Sequence, residues 1–425
     1  MTEYDQNYTI STAFYQLYWI TKSDTRFLVD KNLAEYPKSH LDDPGFLCII
    51  DAMGWIGIGI VAFAAVSWWA LILMPWRSWR VNHILPLETP AEPPLDLSDV
   101  TVVIPARNEA GLIGRTLASL GRQGDNLRII LVDDHSSDGT ARTAEAAGIA
   151  NLQIVPGKPL PPGWSGKVWA MAQGINLVQT RYTLFLDADI LLEAGVIAAL
   201  RSQSQQGYGL VSVMAALSME SFWEKLLMPA FIYFFKLLYP FSLANSPDRR
   251  FAAAAGGCVL LETRCLAQAG GLETIHNAVI DDCALARQVK RAGFRTWIGQ
   301  SLAVGSVRRY QGLSEIWEMV ARSAFDQLRY SLFWLGLCTL GLILLFGAPL
   351  AGMLAFSLPI SLVGLAGWLG MAVSYLPGLQ YYRRSPFWVL LLPFAASLYL
   401  AMTWTSALRC WRGERTRWKG RIYRR

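Results

Sequence analysis

Four short groups of acidic residues could carry out chemistry in this 425-residue chain. The first two lie in Pro105-Ala-Arg-Asn-Glu109 and in Val132-Asp-Asp-His-Ser-Ser-Asp-Gly-Thr140. A carboxylate in such a group can accept the imide N–H of uracil and the hydroxyls of a ribose. Helix capping by the serines and Asp138 is an additional role, but it does not account for the consecutive acids Asp133 and Asp134. The residues predicted to bind a nucleotide are Pro105, Arg107, Glu109, Asp133 and Asp134.

The third group, Phe185-Leu-Asp-Ala-Asp189, follows a hydrophobic stretch. Alternation along a strand would place Asp187 and Asp189 on one face. Two carboxylates facing one way repel each other unless a divalent cation lies between them and a diphosphate. Oxygen ligands and phosphates suit Mg²⁺ or Mn²⁺. We therefore predict that Asp189 and Asp187 bind this metal and that Asp187 also contributes to binding the diphosphate.

The fourth group, Asp281-Asp282, opens a predicted helix. Neighbouring helical residues point about 100° apart, so only one acid should face a substrate while the other caps the helix. A hydroxyl is a poor nucleophile until a base removes its proton. We predict Asp282 as that base, with Asp281 beside it in the catalytic group. Taken alone, the pair could instead be a dipole-stabilising pair on a solvated helix.

Three further positions could contact a substrate. Lys167 follows a proline-rich loop at the start of another helix, where a cation and helix N–H groups can hold phosphate oxygens. Gly256 and Gly257 would let the backbone approach a ligand closely. His276 lies in the loop before the fourth group and is equally consistent with a surface residue and with an acceptor contact.

The elements that position these groups form an alternating pattern between residues 99 and 330. Apolar runs predict strands at Val100–Pro105, Arg128–Asp133, Leu152–Val155, Tyr182–Asp187 and Leu210–Ala215. Helical stretches lie between them, which predicts an α/β fold with an open, mostly parallel sheet covered on both faces. Ligands bind at the carboxyl ends of strands in such sheets, where these acidic groups stand.

Apolar sequence flanks this region on both sides. The chain is 53% hydrophobic and 16% charged. The run from Gly54 to Trp76 can cross a ~30 Å hydrocarbon layer, and the arginines that follow it favour a cytosolic location for the next domain. Three later runs also fit by length: Ser331–Phe356, Leu358–Leu379 and Phe387–Leu408. Three crossings would place the basic tail outside, against the positive-inside rule, so the number of spans, two or three, stays open.

The predicted organisation has six parts. They are a polar N-terminal segment (1–45), a transmembrane helix (46–76), a proline-rich connector (77–98), a cytosolic catalytic domain (99–330), a transmembrane region of two or three spans (331–408) and a basic tail (409–425). The tail carries eight basic residues against Glu414 alone, which is typical of a headgroup-facing anchor. Nucleic-acid binding is not expected, because no recognition module accompanies the tail.

The segment Ser221–Leu243 is unusually aromatic. An interfacial helix in the headgroup plane fits this composition, and a buried helix is the alternative. Pro229 and Pro240 argue against one straight helix. We predict that Phe231, Phe234 and Phe235 lie on the side of the acceptor.

Taken together, the four groups resemble the family 2 inverting glycosyltransferases of the GT-A fold, over about residues 99–330. The layout is most similar to the hopene-associated glycosyltransferases, through Pro162-Gly-Trp-Ser-Gly-Lys-Val-Trp-Ala170 and Arg322-Ser-Ala-Phe-Asp-Gln-Leu-Arg-Tyr-Ser331. The resemblance implies that Asp133 or Asp134 contacts the nucleobase, that Asp189 holds the metal and that Asp282 is the base. Ceramide glucosyltransferases are similar in layout.

One motif departs from the family pattern. Processive members carry Gln-x-x-Arg-Trp, and the matching place here, Met319-Val-Ala-Arg322-Ser323, keeps only Arg322. The resemblance therefore favours a single transfer, with Arg322 and Lys167 helping to bind the donor.

The expected function is transfer of one sugar from a nucleotide-diphosphate donor, preferably a UDP-sugar, to the hydroxyl of a hopanoid or related lipid. It implies a multi-pass protein of the inner (cytoplasmic) membrane with Mg²⁺ or Mn²⁺ as cofactor. The alternatives are a polyprenyl-phosphate sugar synthase, a processive polysaccharide synthase and an inactive module that binds lipid or nucleotide.

Overall fold

The structure is a computed structural model that describes residues 44–87, 94–355, 357–419 and 421–424. The predicted N-terminal segment therefore lies outside the described residues except for its last two. The chain divides into two compact units. The described part of one unit is the chain up to Trp69 together with Gly347–Gly370, and that of the other is Ala70–Phe346 together with the residues from Met371 onward.

The larger unit is built on an eight-stranded sheet with the order β3-β2-β1-β4-β7-β6-β8-β5. Its strands are β1 (Val100–Ala106), β2 (Arg128–Asp133), β3 (Leu152–Pro156), β4 (Tyr182–Leu186), β5 (Ile190–Leu192), β6 (Tyr208–Ala216), β7 (Cys258–Glu262) and β8 (Arg295–Ser306). Strands β1 to β4 are parallel to their neighbours within that group, as is β6 to β8. Within this sheet, β7 is antiparallel to its neighbours β4 and β6, and β5 is antiparallel to β8. The predicted mostly parallel α/β fold is confirmed.

Helices connect and cover these strands. In chain order they are α1 (Pro44–Leu73), α2 (Ala110–Leu120), α3 (Thr140–Ala146), α4 (Gly166–Ile175), α5 (Val196–Gln205), α6 (Phe222–Leu238), α7 (Phe241–Ala244), α8 (Thr263–Gln268), α9 (Asp281–Arg291), α10 (Leu313–Ala321), α11 (Ala324–Gln327), α12 (Leu332–Leu342), α13 (Ala348–Met353), α14 (Leu358–Tyr381) and α15 (Leu392–Trp411). A short antiparallel hairpin, β9 (Glu414–Trp418) and β10 (Arg421–Arg424), follows α15.

Strand β1 shows why the sheet needs a helical layer on both faces. Its alternate residues Val102 and Ile104 pack in one core cluster with Ile113 and Leu117 of α2. Val103 packs on the other face, in a cluster that includes residues of α4 and α9. Burying one such side chain contributes about 1.5–3 kcal/mol, so two apolar faces favour a sheet buried on both sides.

The strand predictions agree with the structure for five strands and miss β5, β7 and β8. Strand β8 contains Gly299 and Gly305, so it lacks the continuous β-branched run that marks the others. One strand boundary matters for the site, because β4 ends at Leu186. The strand alternation predicted to align Asp187 with Asp189 therefore does not extend to these residues.

The aromatic segment forms α6, whose N-terminus is closed by a capping box between Ser221 and Glu224. The helix continues through Pro229 and ends before Pro240, where a second helix, α7, begins. The segment is therefore not one straight helix, as expected. The buried residues of α6 pack within the larger unit, where the Tyr233 hydroxyl and the Ser374 hydroxyl lie 2.7 Å apart.

Four helices are long and apolar enough to cross a membrane: Gly54–Leu73, Leu332–Met353, Leu358–Tyr381 and Pro386–Trp411. Many of their large apolar side chains are exposed, as expected for surfaces that face lipid. Within the smaller unit, Gly364 packs so closely that a Cβ on it would lie 2.5 Å from the Met353 nitrogen. Small residues at helix contacts allow such close approach in membranes.

Candidate active site

A cleft opens at the carboxyl ends of β1 and β4. Parallel strands direct their carboxyl ends to one edge of the sheet, which is where ligands bind in such folds. The lining residues are Pro105, Lys167, Met171, Phe185, Leu186, Asp187, Gly256, Val259, Asp281, Asp282 and Leu285. Residues from three of the four acidic groups and Lys167 are thus brought to one place.

Lys167 is the central cation of this cleft. Helix α4 begins one residue before it, and its Nζ lies 2.9 Å from Asp187 Oδ1 and 3.3 Å from Asp281 Oδ2. Burial alone would lower the pKa of Lys167, but the two carboxylates outweigh it and raise this pKa above its ordinary value. Lys167 is therefore protonated and holds the end of β4 beside the start of α9.

Asp282 differs from its neighbour. Asp281 forms an ion pair with Lys167, whereas no ion pair of Asp282 is seen within the described residues. Its Oδ1 accepts the Cys283 N–H at 2.7 Å. Burial, and then the charge of Asp281, raise the pKa of Asp282 to about 7, although Lys167 opposes the shift. A carboxylate with this pKa can take a proton near neutral pH. Asp281 and Asp282 both line the cleft, and which of them faces a substrate stays a prediction.

Gly256 forms the wall opposite these charges. A Cβ at this position would lie 3.2 Å from Asp282 Oδ2 and 3.3 Å from Lys167 Nζ. Its neighbour Gly257 accepts the Asp187 N–H through its carbonyl at 3.1 Å. The two glycines thus bring backbone against the acids, and their predicted contact with a ligand stays a prediction.

We expect Gly256→Ala to lower kcat/KM by about 10-fold, since the added methyl crowds the cleft. Gly114→Ala on α2 is the control, because its methyl would meet only Thr143 Cγ2, at 3.6 Å. Steady-state kinetics with a melting curve for each variant measure the effect. Unchanged kinetics in Gly256→Ala would show that substrate does not reach this wall.

The first two acidic groups are tied together beside the cleft. Ser136 Oγ accepts the Asn108 N–H at 2.9 Å, and Thr140 Oγ1 accepts the Glu109 N–H at 2.8 Å. Asn108 and His135 both adopt positive φ, at 52° and 56°. Strained non-glycine residues of this kind cluster at functional sites.

Asp133 and Asp134 have different surroundings. The Asp134 side chain is 1% exposed, and its Oδ2 lies 3.7 Å from Arg107 Nη1. The same Arg107 nitrogen donates a hydrogen bond to the backbone carbonyl of Asp134. Asp133 is half-buried, and its Oδ1 accepts the Ser136 N–H at 3.2 Å. Asp134 therefore positions Arg107, which leaves Asp133 as the more accessible of the two carboxylates.

Asp189 lies in a turn held by a buried hydrogen bond from Thr116 Oγ1 to the Ala188 carbonyl, 2.8 Å long. Its Oδ2 accepts Arg308 Nε at 2.9 Å and Ser306 Oγ at 3.1 Å. Arg308 Nη2 also contacts Glu109 Oε1 at 2.6 Å. Although burial opposes it, the charges of Asp189 and Glu109 raise the pKa of Arg308.

Arg308 was not predicted from the sequence. It stands two residues after β8, so the rule that located the other groups at strand ends would have found it if β8 had been recognised. Lys419 was also missed as a site residue: its Nζ lies 2.5 Å from Glu109 Oε1.

The acids suit a divalent cation in ligand type, since Asp187 and Asp189 offer carboxylate oxygens. Within the described residues, no group of three or more His, Cys, Asp or Glu side chains could hold a metal ion by itself. A cation here would need oxygen atoms from a bound diphosphate, and it would share the carboxylates with Lys167 and Arg308.

The other predicted residues lie around the cleft rather than in its lining. The His276 carbonyl accepts the Ser165 N–H at 2.7 Å, and its ring lies 5.7 Å from that of Trp164. Arg322 is exposed at the end of α10.

The three phenylalanines predicted on the acceptor side, Phe231, Phe234 and Phe235, are half-buried. Phe234 stacks edge-on with Phe346 and Tyr399, and Phe235 contacts Tyr239 and Phe241. This packing favours the buried-helix alternative for Phe234 and Phe235.

The sheet and the acids at its strand ends define an α/β domain of the GT-A type. A family model described as "Glycosyltransferase like family 2" matches residues 98–325, which is more than half of the chain. The chain belongs to this glycosyltransferase family.

Individual relatives match less of the chain. A 4,4'-diaponeurosporenoate glycosyltransferase of Staphylococcus aureus is 35% identical over 128 residues, 29% of this chain and 34% of the relative. The matched segment thus spans about a third of the curated relative's length.

Solved structures with a similar fold have low sequence identity. The mannosyltransferase PcManGT from Pyrobaculum calidifontis, in complex with GDP-Man and Mn²⁺, is 18% identical with a TM-score of 0.45, covering 85% of this chain and 97% of its own. Glucosyl-3-phosphoglycerate synthase from Mycobacterium tuberculosis, in complex with Mg²⁺ and UDP, is 19% identical with a TM-score of 0.39, covering 58% and 86%.

Proposed function

We propose that the chain is an inverting glycosyltransferase that moves one sugar from a nucleotide-diphosphate donor to the hydroxyl of a membrane lipid. The observation that carries this proposal is the position of Asp282. It faces the same cleft as Asp187 and Lys167, and its pKa of about 7 suits a general base. A base and a group of residues able to bind a diphosphate, side by side in one cleft, are what a single displacement requires.

In the proposed reaction, the acceptor oxygen attacks the anomeric carbon while Asp282 takes its proton. The bond between that carbon and the diphosphate oxygen breaks, and the nucleoside diphosphate leaves with the bonding electrons. Attack from the face opposite the leaving group inverts the anomeric configuration. Asp281 pairs with Lys167, which keeps the neighbouring carboxylate of Asp282 as the proton acceptor.

The donor would lie along the ends of β1, β2 and β4. Asp133 is proposed to contact the nucleobase, and Lys167, held against Asp187 at 2.9 Å, to contact the diphosphate. Mg²⁺ or Mn²⁺ bound at Asp189 and Asp187 would supply counter-charge to the leaving diphosphate. The preferred donor class is a UDP-sugar.

The acceptor is proposed to be a lipid, with hopanoids or related amphiphiles as the preferred class. Several helices long and apolar enough to cross a bilayer support a multi-pass protein of the cytoplasmic membrane. Arg77 and Arg80 directly after the first of them support a cytosolic catalytic domain. The relative named for 4,4'-diaponeurosporenoate fits a lipid-related acceptor.

Lipid analysis distinguishes this proposal from its alternatives. Mass spectrometry should find that a strain lacking the gene has lost a lipid carrying one sugar, and that restoring the gene restores it. The Asp282→Asn gene should fail to restore it. Loss of a polysaccharide would instead support a processive synthase, and loss of a polyprenyl-phosphate sugar would support the phosphate-acceptor alternative. An unchanged sugar-lipid profile would count against all three enzymes.

A further inference from the structure

The basic tail reaches the acidic residues of the first group. Lys419 Nζ lies 2.5 Å from Glu109 Oε1 and donates to the Asn108 carbonyl at 3.4 Å. In return, Arg107 Nε donates to the Lys419 carbonyl at 3.2 Å. Three contacts therefore fix Lys419 against the loop that follows β1.

These contacts extend a chain of charges to Asp189. Glu109 stands between two cations, Lys419 and Arg308, and Arg308 in turn stands between Glu109 and Asp189. Two carboxylates and two cations make this chain neutral. Removing Lys419 would leave a net negative charge beside a site that must accept a diphosphate, because Glu109 is 8% exposed and solvent would screen it poorly.

Both cations keep part of their surface open. Lys419 is 24% exposed and Arg308 is 30% exposed, whereas their carboxylate partners are more buried. A guanidinium has five N–H donors, and the two carboxylates contact only its Nε and Nη2. A ligand rich in anionic oxygens could therefore bind both cations without displacing either carboxylate.

We propose that the C-terminal tail completes the donor site: Lys419, together with Arg308, presents positive charge to the diphosphate of the nucleotide-sugar donor. This inference rests on the proposed function, because it takes a nucleoside diphosphate as the ligand. It changes the role of the tail from a headgroup anchor to a part of the catalytic domain.

The proposal also decides the number of membrane crossings after residue 330. Lys419 can reach Glu109 only if the tail lies on the same side as the catalytic domain, which requires an even number of crossings. Contacts that do not involve Lys419 also indicate an even number of crossings. Arg384 Nη1 donates to the Met219 carbonyl at 3.2 Å, and the ring of Trp388 lies 5.7 Å from that of Phe222.

The chain is therefore back beside the catalytic domain before its last apolar helix begins. That helix also ends beside the domain, since Thr405 Oγ1 accepts Trp317 Nε1 at 3.1 Å and Arg409 pairs with Glu318. The two preceding apolar helices then form the crossing hairpin. The last one, Pro386–Trp411, packs along α6 and α10 without crossing.

Binding of UDP, with GDP in parallel, tests the donor role. Isothermal titration of the purified full-length protein with Mn²⁺ present should show Kd raised by at least about 10-fold in Lys419→Ala, the loss expected for one charge-assisted hydrogen bond. Lys419→Glu should weaken binding further, and Lys419→Arg should restore most of it. Arg412→Ala is the matched control, since it removes the same charge from an exposed position of the tail.

The neighbouring arginines provide a second matched pair. Arg308→Ala should raise Kd by at least about 10-fold. Arg309→Ala should not, because Arg309 pairs with the exposed Glu220 at 2.9 Å. A melting curve of each variant verifies that it is folded. If wild type binds UDP and Lys419→Ala binds it equally well, the tail proposal is wrong and the proposed function stands.

If wild type binds neither nucleotide, the proposed function and the tail proposal both fail. A topology measurement covers the case in which a Lys419 variant does not fold. A green fluorescent protein fused after Arg425 should fluoresce in a bacterial host, because it folds in the cytosol. An alkaline phosphatase fused at the same place should be inactive. Active phosphatase would place the tail across the membrane from the catalytic domain and overturn the proposal.

Discussion

Asp189→Ala should lose nearly all turnover, at least about 100-fold, and much of its affinity for the nucleotide-sugar donor. The substitution removes an oxygen ligand for the proposed cation. It also frees Arg308 Nε, which Asp189 Oδ2 holds at 2.9 Å. The leaving diphosphate would then meet neither the cation nor a correctly placed guanidinium. Initial rates of sugar transfer and titration with UDP measure the two effects separately.

Glu145→Ala is a suitable control for Asp189→Ala, because it removes an exposed acid from α3. The dependence on metal has its own test. Wild type dialysed against excess chelator should lose activity and regain it with Mg²⁺ or Mn²⁺. Full activity in chelator would contradict the metal proposal, and a loss in Asp189→Ala would then be assigned to the displaced Arg308.

Asp282→Asn should bind donor almost normally yet transfer sugar at least about 100-fold more slowly, because asparagine keeps the shape but cannot accept a proton. The pH profile gives a second readout. Burial and Asp281 raise the pKa of Asp282 to about 7, and the base must be deprotonated to act. The kcat/KM of wild type should therefore be low at pH values below about 7 and should increase as the pH rises through about 7.

In Asp282→Asn, kcat/KM should be low and should no longer increase as the pH rises through about 7. Asp281→Asn is the informative comparison, since it removes a partner of Lys167 and leaves the proposed base in place. Equal losses of donor binding and turnover in Asp282→Asn would assign this residue to donor binding instead. Retained turnover would favour a phosphate acceptor, which needs no strong base.

The sequence predicts well where the acidic groups lie on the sheet, for a physical reason. Strands β1, β2 and β4 are buried on both faces, so each is a continuous apolar run and its end can be read directly. The acidic groups follow these ends. Lys167 and Gly256 were recognised because a cation at a helix start and paired glycines are themselves local patterns.

The missing parts depend on contacts between distant residues. Arg308 was overlooked because β8 contains glycines and does not show a strand pattern. Lys419 lies 310 positions from Glu109, and the local sequence of a basic tail indicates only its charge. The ion pair between Asp281, the first residue of α9, and Lys167 was likewise not predicted, because it joins residues 114 positions apart.

Aromatic composition also had limited predictive value for α6. A protein core and a membrane interface both favour large apolar side chains, so the composition of Ser221–Leu243 does not separate them. The structure separates them by contacts: Phe234 packs against other aromatic rings, whereas Phe222 is 54% exposed.

The contact between Lys419 and Glu109 has a consequence for how the protein is made. Ribosomes synthesise a chain from its N-terminus, so the sheet and its acidic groups emerge long before residue 419. The ion pair can form only after the last apolar helix has left the ribosome and taken its place. If the tail completes the donor site as proposed, a newly made or truncated chain would carry a folded sheet but an incomplete site. Sugar transfer would then begin only once synthesis and membrane insertion are finished.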